Sequence, residues 1–231
     1  MNMLECTKLT KQYGSLTALD EMDLTLESGK IVGLLGPNGS GKTTLIKIAN
    51  RLLQPTSGEL KIAGEVPNEH TKAIVSYLPD RTYLPEWMKI GELLEFYQDF
   101  FEDFDMARAQ ELLKDLAIPS DRPMKKMSKG TKDKVQLILT MSRRAKVYLL
   151  DEPIAGVDPA ARDYILRTII ANYEPDALVL ISTHLIADVE SVLDEAVFLR
   201  QGKVILHESI DSIRERTGES VDAYFREVFA C

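Results

Sequence analysis

The residues best suited to chemistry stand in four short segments of this 231-residue chain. Gly36-Pro37-Asn38-Gly39-Ser40-Gly41-Lys42-Thr43 fits the pattern G-x-x-x-x-G-K-[ST]. Glycines let backbone N–H groups turn inward around phosphate oxygens, where side chains would block the approach. A helix starting at Lys42 would aim its unpaired N–H groups and positive dipole end at the same anion. Lys42 is placed to reach the β- and γ-phosphates of a nucleoside triphosphate, and the Thr43 hydroxyl to ligate Mg²⁺. Gly36, Pro37, Asn38, Gly39, Ser40, Gly41, Lys42, Thr43 and the adjoining Thr44 are the phosphate-binding candidates. A ligand-free glycine turn is the alternative, and the apolar run before the loop and the helix after it argue against that.

The second segment is Leu150-Asp151-Glu152-Pro153, at the end of the apolar run at residues 147–150. Two acids closing a buried strand are costly unless they meet cations or water. Asp151 suits Mg²⁺, directly or through water. Glu152 suits the base that orients or deprotonates an attacking water, a role worth roughly 10²–10⁴ in rate. A plain acidic turn after a strand would give the same local pattern. The third segment, Ser182-Thr183-His184, follows another apolar run. Parallel strands present their C-terminal ends to a ligand, which places His184 within reach of a γ-phosphate; a structural histidine is the alternative. The fourth, Met127-Ser128-Lys129-Gly130-Thr131, precedes a helix whose N-terminus can face a phosphate. It lies within a basic group, Arg122, Lys125, Lys126, Lys129, Lys132 and Lys134. From this segment alone a solvated loop with an ordinary N-cap is the favoured reading.

The elements that must position these groups follow from periodicity. Residues 4–9, 22–26, 31–35, 59–62 and 74–78 read as strands, and buried-strand runs return at 147–150 and 178–182. Residues 195–200 and 204–207 read as a hairpin around Gln201-Gly202. A helix is expected from about residue 42 to 51 and another from about 131 to 142, while apolar residues fall at helical spacing from 90 to 116. The expectation is an α/β nucleotide-binding core, a single domain, with a helical insertion at about 82–142. Residues 218–231 read as a short amphipathic helix carrying Val221, Tyr224, Phe225 and Val228 on one side, as a core cap or a dimer contact.

A 45% hydrophobic composition suffices for one sizeable core, and a net charge of −8 argues against a general nucleic-acid surface. No apolar run approaches the ~20 residues that span a bilayer, and residues 1–10 lack the layout of a signal peptide. Cys6 and Cys231 have no metal spacing and make a disulfide scaffold improbable. The expectation is a cytosolic chain whose role at a membrane would require a separate partner.

Together these segments resemble the nucleotide-binding subunit of ABC transporters over essentially the whole chain. Met127-Ser128-Lys129-Gly130-Thr131 is similar to that family's signature LSGGQ. The resemblance implies a P-loop ATPase core with an N-terminal antiparallel β part and a helical insertion, with ATP and Mg²⁺ as ligands. It also implies a head-to-tail dimer, homodimeric or heterodimeric, in which Ser128, Lys129 and Gly130 of one subunit close over the ATP held by the other's phosphate loop. Tyr13, in Lys11-Gln12-Tyr13-Gly14, matches the aromatic residue that stacks on adenine, with a core or turn tyrosine as the alternative. Ala155-Gly156-Val157-Asp158 is similar to the loop that crosses the interface, with Asp158 as its acid; an N-cap before Pro159 is an equally good local explanation.

The chain departs from the pattern at Asp80, where the family usually has glutamine, and at Lys129 and Thr131. Asp80 can still hold Mg²⁺ or the water. The lysine signature with an acid at position 80 resembles bacterial-type exporter ATPases that pair with separately encoded permeases. An integral membrane permease subunit is therefore the expected partner, and the inner face of the cell membrane the expected location. The segment Thr82-Tyr83-Leu84-Pro85-Glu86-Trp87-Met88 matches the region that receives a permease helix. Nine acids against three bases at residues 86–115 would complement a basic helix, whereas packing of Trp87 inside the insertion, with the acids in solvent, is the alternative. A soluble ATPase of the same family, acting on ribosomes or other assemblies, is the rival class; such proteins usually carry paired cassettes or long coiled coils, and the sequence has neither.

Overall fold

The computed structural model describes residues 1–230, with the side chains of Ala160 and Ala161 excepted; Cys231 lies outside the described residues. Two sheets form the frame. β1 (Asn2–Tyr13) and β2 (Leu16–Glu27) make an antiparallel hairpin, and β4 (Ser57–Ile62) pairs with the other edge of β1. The larger sheet has the order β5 (Val75–Leu78), β6 (Val147–Asp151), β7 (Leu178–Thr183), β3 (Lys30–Leu35), β8 (Glu195–Arg200), β9 (Lys203–Ser209). Its first five strands are parallel and β9 returns antiparallel.

Side-chain alternation assigns each face of this sheet to a core. Val32, Leu34, Val147 and Leu149 pack with the three-stranded sheet and with α1 (Lys42–Ala49). Ile31, Leu35, Tyr148 and Leu150 pack on the opposite side with α6 (Pro159–Asn172) and the later helices. Both faces are covered, so β3, β6 and β7 are nearly continuous apolar runs. This is the mixed α/β architecture that the sequence implied.

α3 (Ile90–Phe100), α4 (Met106–Asp115) and α5 (Lys129–Met141) enclose a third core around Leu93, Leu94, Leu112, Leu113 and Ile138. α5 serves two cores, sending Val135 and Leu139 into the third and Leu137 and Met141 into the second. The helical spacing over 90–116 is interrupted: Asp105 accepts from the backbone N–H of Arg108 and starts α4 anew. α5 begins at Lys129, two residues earlier than expected, because the Ser128 hydroxyl accepts from the Thr131 N–H. Residue 74 is the end of a short helix, α2 (Glu69–Ile74), that the periodicity did not show; Asn68 starts it with a reciprocal capping box to Thr71. After β7 come α7 (Ile186–Val189), α8 (Ile210–Thr217) and α9 (Val221–Phe229). α9 lays Tyr224, Phe225 and Phe229 against Phe198 of β8, so this face lies on the core. Among the described residues no helix is long and apolar enough to cross a membrane.

Candidate functional site

The phosphate loop leaves the C-terminal end of β3 and enters α1. Gly41 adopts φ +111°, and a Cβ there would meet the Ala18 carbonyl oxygen at 2.5 Å, so only glycine fits. It gives α1 no side-chain cap, which leaves the first-turn N–H groups for a ligand. Gly36 is fixed for another reason: a Cβ would collide with the Leu199 carbonyl of β8. The loop also donates nothing outward at Ser40, whose carbonyl instead accepts from the Gly202 N–H of the β8–β9 turn at 2.9 Å.

Lys42 is buried, with Nζ 2.7 Å from the Gly36 carbonyl and 3.6 Å from Glu152 Oε1. Burial lowers its pKa, against the opposing pull of Glu152 and Asp151. Asp151, at the end of β6, is fully buried. Its Oδ1 accepts from Ser182 Oγ at 2.5 Å and from Thr43 Oγ1 at 3.2 Å, while Oδ2 has no partner. Burial pushes its pKa up, with the Asp80 and Glu152 charges adding to the shift and the two hydroxyls opposing it. A buried carboxylate with an orphan oxygen beside a threonine hydroxyl fits a cation. Among the described residues no group of three or more acidic, histidine or cysteine side chains is clustered for a metal.

Glu152 has φ +51°, a left-handed conformation uncommon outside glycine, asparagine and aspartate. Its N–H donates to the Ser182 carbonyl at 3.0 Å, and its carboxylate lies 3.0 Å from His184 Nδ1. The turn thus swings Glu152 off the strand axis toward Lys42 and His184.

A cavity of about 320 Å³ collects Tyr13, Leu16, Lys42, Thr43, Asp80 and Glu152 around the loop residues 38–44. Tyr13 is 44% exposed, and Lys11 Nζ lies 5.1 Å from its ring centroid, tethered by the Gln54 carbonyl. Asp80 and Glu152 also line a neighbouring cleft of about 460 Å³ with Lys129, Lys132, Asp133 and Gln136. Tyr13, residues 36–44, Asp80, Asp151, Glu152 and His184 therefore converge. Ser128 and Gly130 are exposed and line neither space, and Lys129 lines only the second. Asp158 occupies the N-cap position of α6, before Pro159, but its side chain makes no cap hydrogen bond. Sequence reasoning missed Leu16, whose place opposite Tyr13 depends on the hairpin, and the role of Ser182, for which the Ser182-Thr183-His184 segment was the available signal.

On another face, Leu52, Tyr83, Tyr97, Phe100 and Phe101 line an aromatic groove of about 360 Å³. Trp87 is 72% exposed and outside that lining. The alternative that it packs within the helical part is thereby corrected: Leu84 and Met88 turn inward there and Trp87 turns out.

The chain is similar to known proteins in sequence and fold. The family model described as ABC transporter matches residues 19–155. The uncharacterized ABC transporter ATP-binding protein YdbJ of Bacillus subtilis is 31% identical over 232 residues, covering 95% of this chain and 73% of its own. The ABC transporter ATP-binding protein YtrB of the same organism is 29% identical, covering 92% and 74%. Two cyanobacterial relatives, from Nostoc and Synechocystis, are matched over only 62% and 64% of their lengths. A solved structure, the ATP binding subunit of an ABC transporter, superposes with a TM-score of 0.88 at 28% identity, over 98% of this chain and 99% of that one. A dimeric post-hydrolysis ATP-binding cassette with ADP and Pi shares the fold, at a TM-score of 0.77 and 22% identity, covering 90% and 98%. The chain is an ATP-binding member of the ABC transporter family.

Proposed function

We propose that this chain is the ATP-hydrolysing subunit of a transporter, working as a head-to-tail dimer beside a separate integral membrane permease, in the direction of export. The observation that carries the reading is the split between its site residues. Lys42, Thr43, Asp151, Glu152 and His184 converge at the C-terminal ends of β3, β6 and β7, whereas Ser128 and Gly130 stand exposed outside that cavity. A second copy, or a related chain, supplies the missing wall. Lysine at position 129 and the acid at position 80 support export through the resemblance to exporter ATPases.

ATP is then held with its base on Tyr13 and its phosphates on the N–H groups of residues 38–44. Thr43 and Asp151, with Asp80 nearby, would hold Mg²⁺, which supplies charge neutralisation at the phosphate oxygens. Lys42 exchanges its carbonyl and Glu152 contacts for the β- and γ-phosphates. Glu152 takes the proton of the attacking water as the water oxygen bonds to the γ-phosphorus and the bond to ADP breaks. His184 Nδ1 fixes the Glu152 carboxylate and leaves Nε2 for the terminal phosphate. Loss of the γ-phosphate removes what both subunits grip, and the dimer opens. The exposed aromatic groove at Tyr83, Tyr97 and Phe100 suits a docking helix of the permease.

The test is Glu152→Gln. Hydrolysis is expected to fall roughly 10²–10⁴-fold, while Mg-ATP converts the protein to a dimer in sedimentation and pull-down in mild detergent recovers an integral membrane protein. Wild-type turnover would remove Glu152 as base, and a strict monomer would remove the shared site. Ribosomes or soluble assemblies in the pull-down would move the function to the soluble class.

A further inference from the structure

Lys11 stands two residues before Tyr13 at the end of β1, with its Nζ over one face of the tyrosine ring, 5.1 Å from the centroid. The same Nζ donates to the Gln54 carbonyl at 2.8 Å, so the ammonium is held from its far side. Gln54 belongs to the chain between α1 and β4, and that chain is itself stitched to β1. The Gln12 N–H donates to Thr56 Oγ1 at 2.9 Å, and the Thr56 N–H donates to the Thr10 carbonyl at 2.8 Å. Tyr13 lines the cavity at the phosphate loop and Lys11 does not. The cation therefore stands behind the ring, and the other face is turned to the cavity. Tyr13 is exposed, and a side chain in that position would otherwise sample several rotamers.

We infer that Lys11 is a positioning residue for the nucleobase, holding the Tyr13 ring from behind in the plane on which the base stacks. This rests on the reading above that the base lies on Tyr13. A cation is attracted to the face of an aromatic ring by the ring's quadrupole. Anchored at Gln54, that attraction fixes an exposed side chain before nucleotide arrives, so its ordering falls in folding rather than in binding. The ammonium also draws ring density toward itself, which makes the cavity face a better partner for an electron-rich purine. Lys11 acts through Tyr13 and touches neither base nor phosphate. Gln54 lies a few residues beyond α1, the helix that the phosphate loop starts, so the base platform and the phosphate loop share one anchor.

The experiment is a double-mutant cycle on ADP binding, read by calorimetry on the full chain: wild type, Lys11→Met, Tyr13→Leu and the two together. ADP carries the base without the γ-phosphate that both subunits grip, so the reading is of one site. Lys11→Met, which keeps an unbranched stem and loses the charge, is expected to weaken ADP about 2–5-fold. In the Tyr13→Leu background the same substitution is expected to change nothing further. Lys11→Arg, which keeps a cation and a donor for Gln54, is expected to bind ADP like the wild type. Inorganic tripolyphosphate, which has no base, is expected to bind wild type and Lys11→Met alike. A lysine that acted only by general charge, or by holding residue 54 and the loop beyond it, would weaken tripolyphosphate as well. It would also lower ADP affinity by the same factor with or without Tyr13. Either result overturns the inference, as does unchanged ADP affinity in Lys11→Met beside a loss in Tyr13→Leu, which leaves the base on Tyr13. Undiminished ADP affinity in Tyr13→Leu takes the base off Tyr13, and the inference falls with that reading.

Discussion

Replacing Asp151 by asparagine is expected to stabilise the ligand-free protein while abolishing its response to Mg-ATP. The carboxylate is fully buried, Oδ2 has no partner, and its charged form is disfavoured by burial and by the neighbouring Asp80 and Glu152 charges. An unpaired buried polar group costs ~1–3 kcal/mol, more when charged. Asparagine keeps one oxygen for Thr43 and Ser182 and places a neutral amide where the orphan oxygen stood, for a net gain of ~1–2 kcal/mol. In a chain of this length that corresponds to a rise in Tm of ~2–8 °C. The sign with pH follows from the raised pKa. Below the ordinary carboxylate range Asp151 is protonated both folded and unfolded, and the wild type carries no penalty. The penalty grows as pH climbs from about 4, the ordinary value, through the raised folded value, and is complete above it. The advantage of asparagine therefore widens from acid to neutral pH. Thermal unfolding in chelator across that range measures it. Repeated with Mg-ATP at about 100 Kd, the wild type should gain ~2.7 kcal/mol and the variant almost nothing, reversing their order. A variant less stable than wild type in chelator at neutral pH would refute the orphan-charge argument. Equal stabilisation of both by Mg-ATP would refute the assignment of Asp151 to the cation.

Gly41→Ala should abolish ATP binding, because its Cβ meets the Ala18 carbonyl at 2.5 Å in a left-handed conformation; equilibrium binding of a fluorescent ATP analogue checks this, with undiminished affinity contradicting it. Arg143→Met should destabilise the fold by ~3–5 kcal/mol, since Arg143 is 3% exposed, reaches Asp103 at 2.8 Å and the Ala73 and Val75 carbonyls, and stacks 3.9 Å from the Phe101 ring centroid. Denaturant unfolding reads this, and a loss below ~1 kcal/mol would place Arg143 among exposed ion pairs instead.

The parts of the site legible in the sequence are those fixed by local chain direction. Lys42, Thr43, Asp151, Glu152 and His184 each follow an apolar run, and a parallel sheet gathers such ends at one edge whatever the strand order. Strand order itself was not legible, because β3 lies between β7 and β8, whose partners are more than a hundred residues away. Leu16 and the tether of Tyr13 by Lys11 escaped for the same reason: they depend on the register of β1 against β2 and on the passage of residue 54 nearby. α2 was hidden because six residues hold no helical repeat, although Asn68 and Thr71 carried its capping signal. The break between α3 and α4 was a matter of weighing Asp105 as a cap against apolar spacing that continued through it.

The β8–β9 turn has a bearing on how the protein is made. The phosphate loop is encoded early, yet Gly36 rests against the Leu199 carbonyl and Ser40 is bonded to Gly202. β3, which delivers that loop, has β8 as one of its two neighbours. A nascent chain that has emerged only as far as β7 therefore displays an apolar central strand with an open edge, and a nucleotide loop without its backing. That edge is sealed, and the loop backed, only when residues 195–202 are in place.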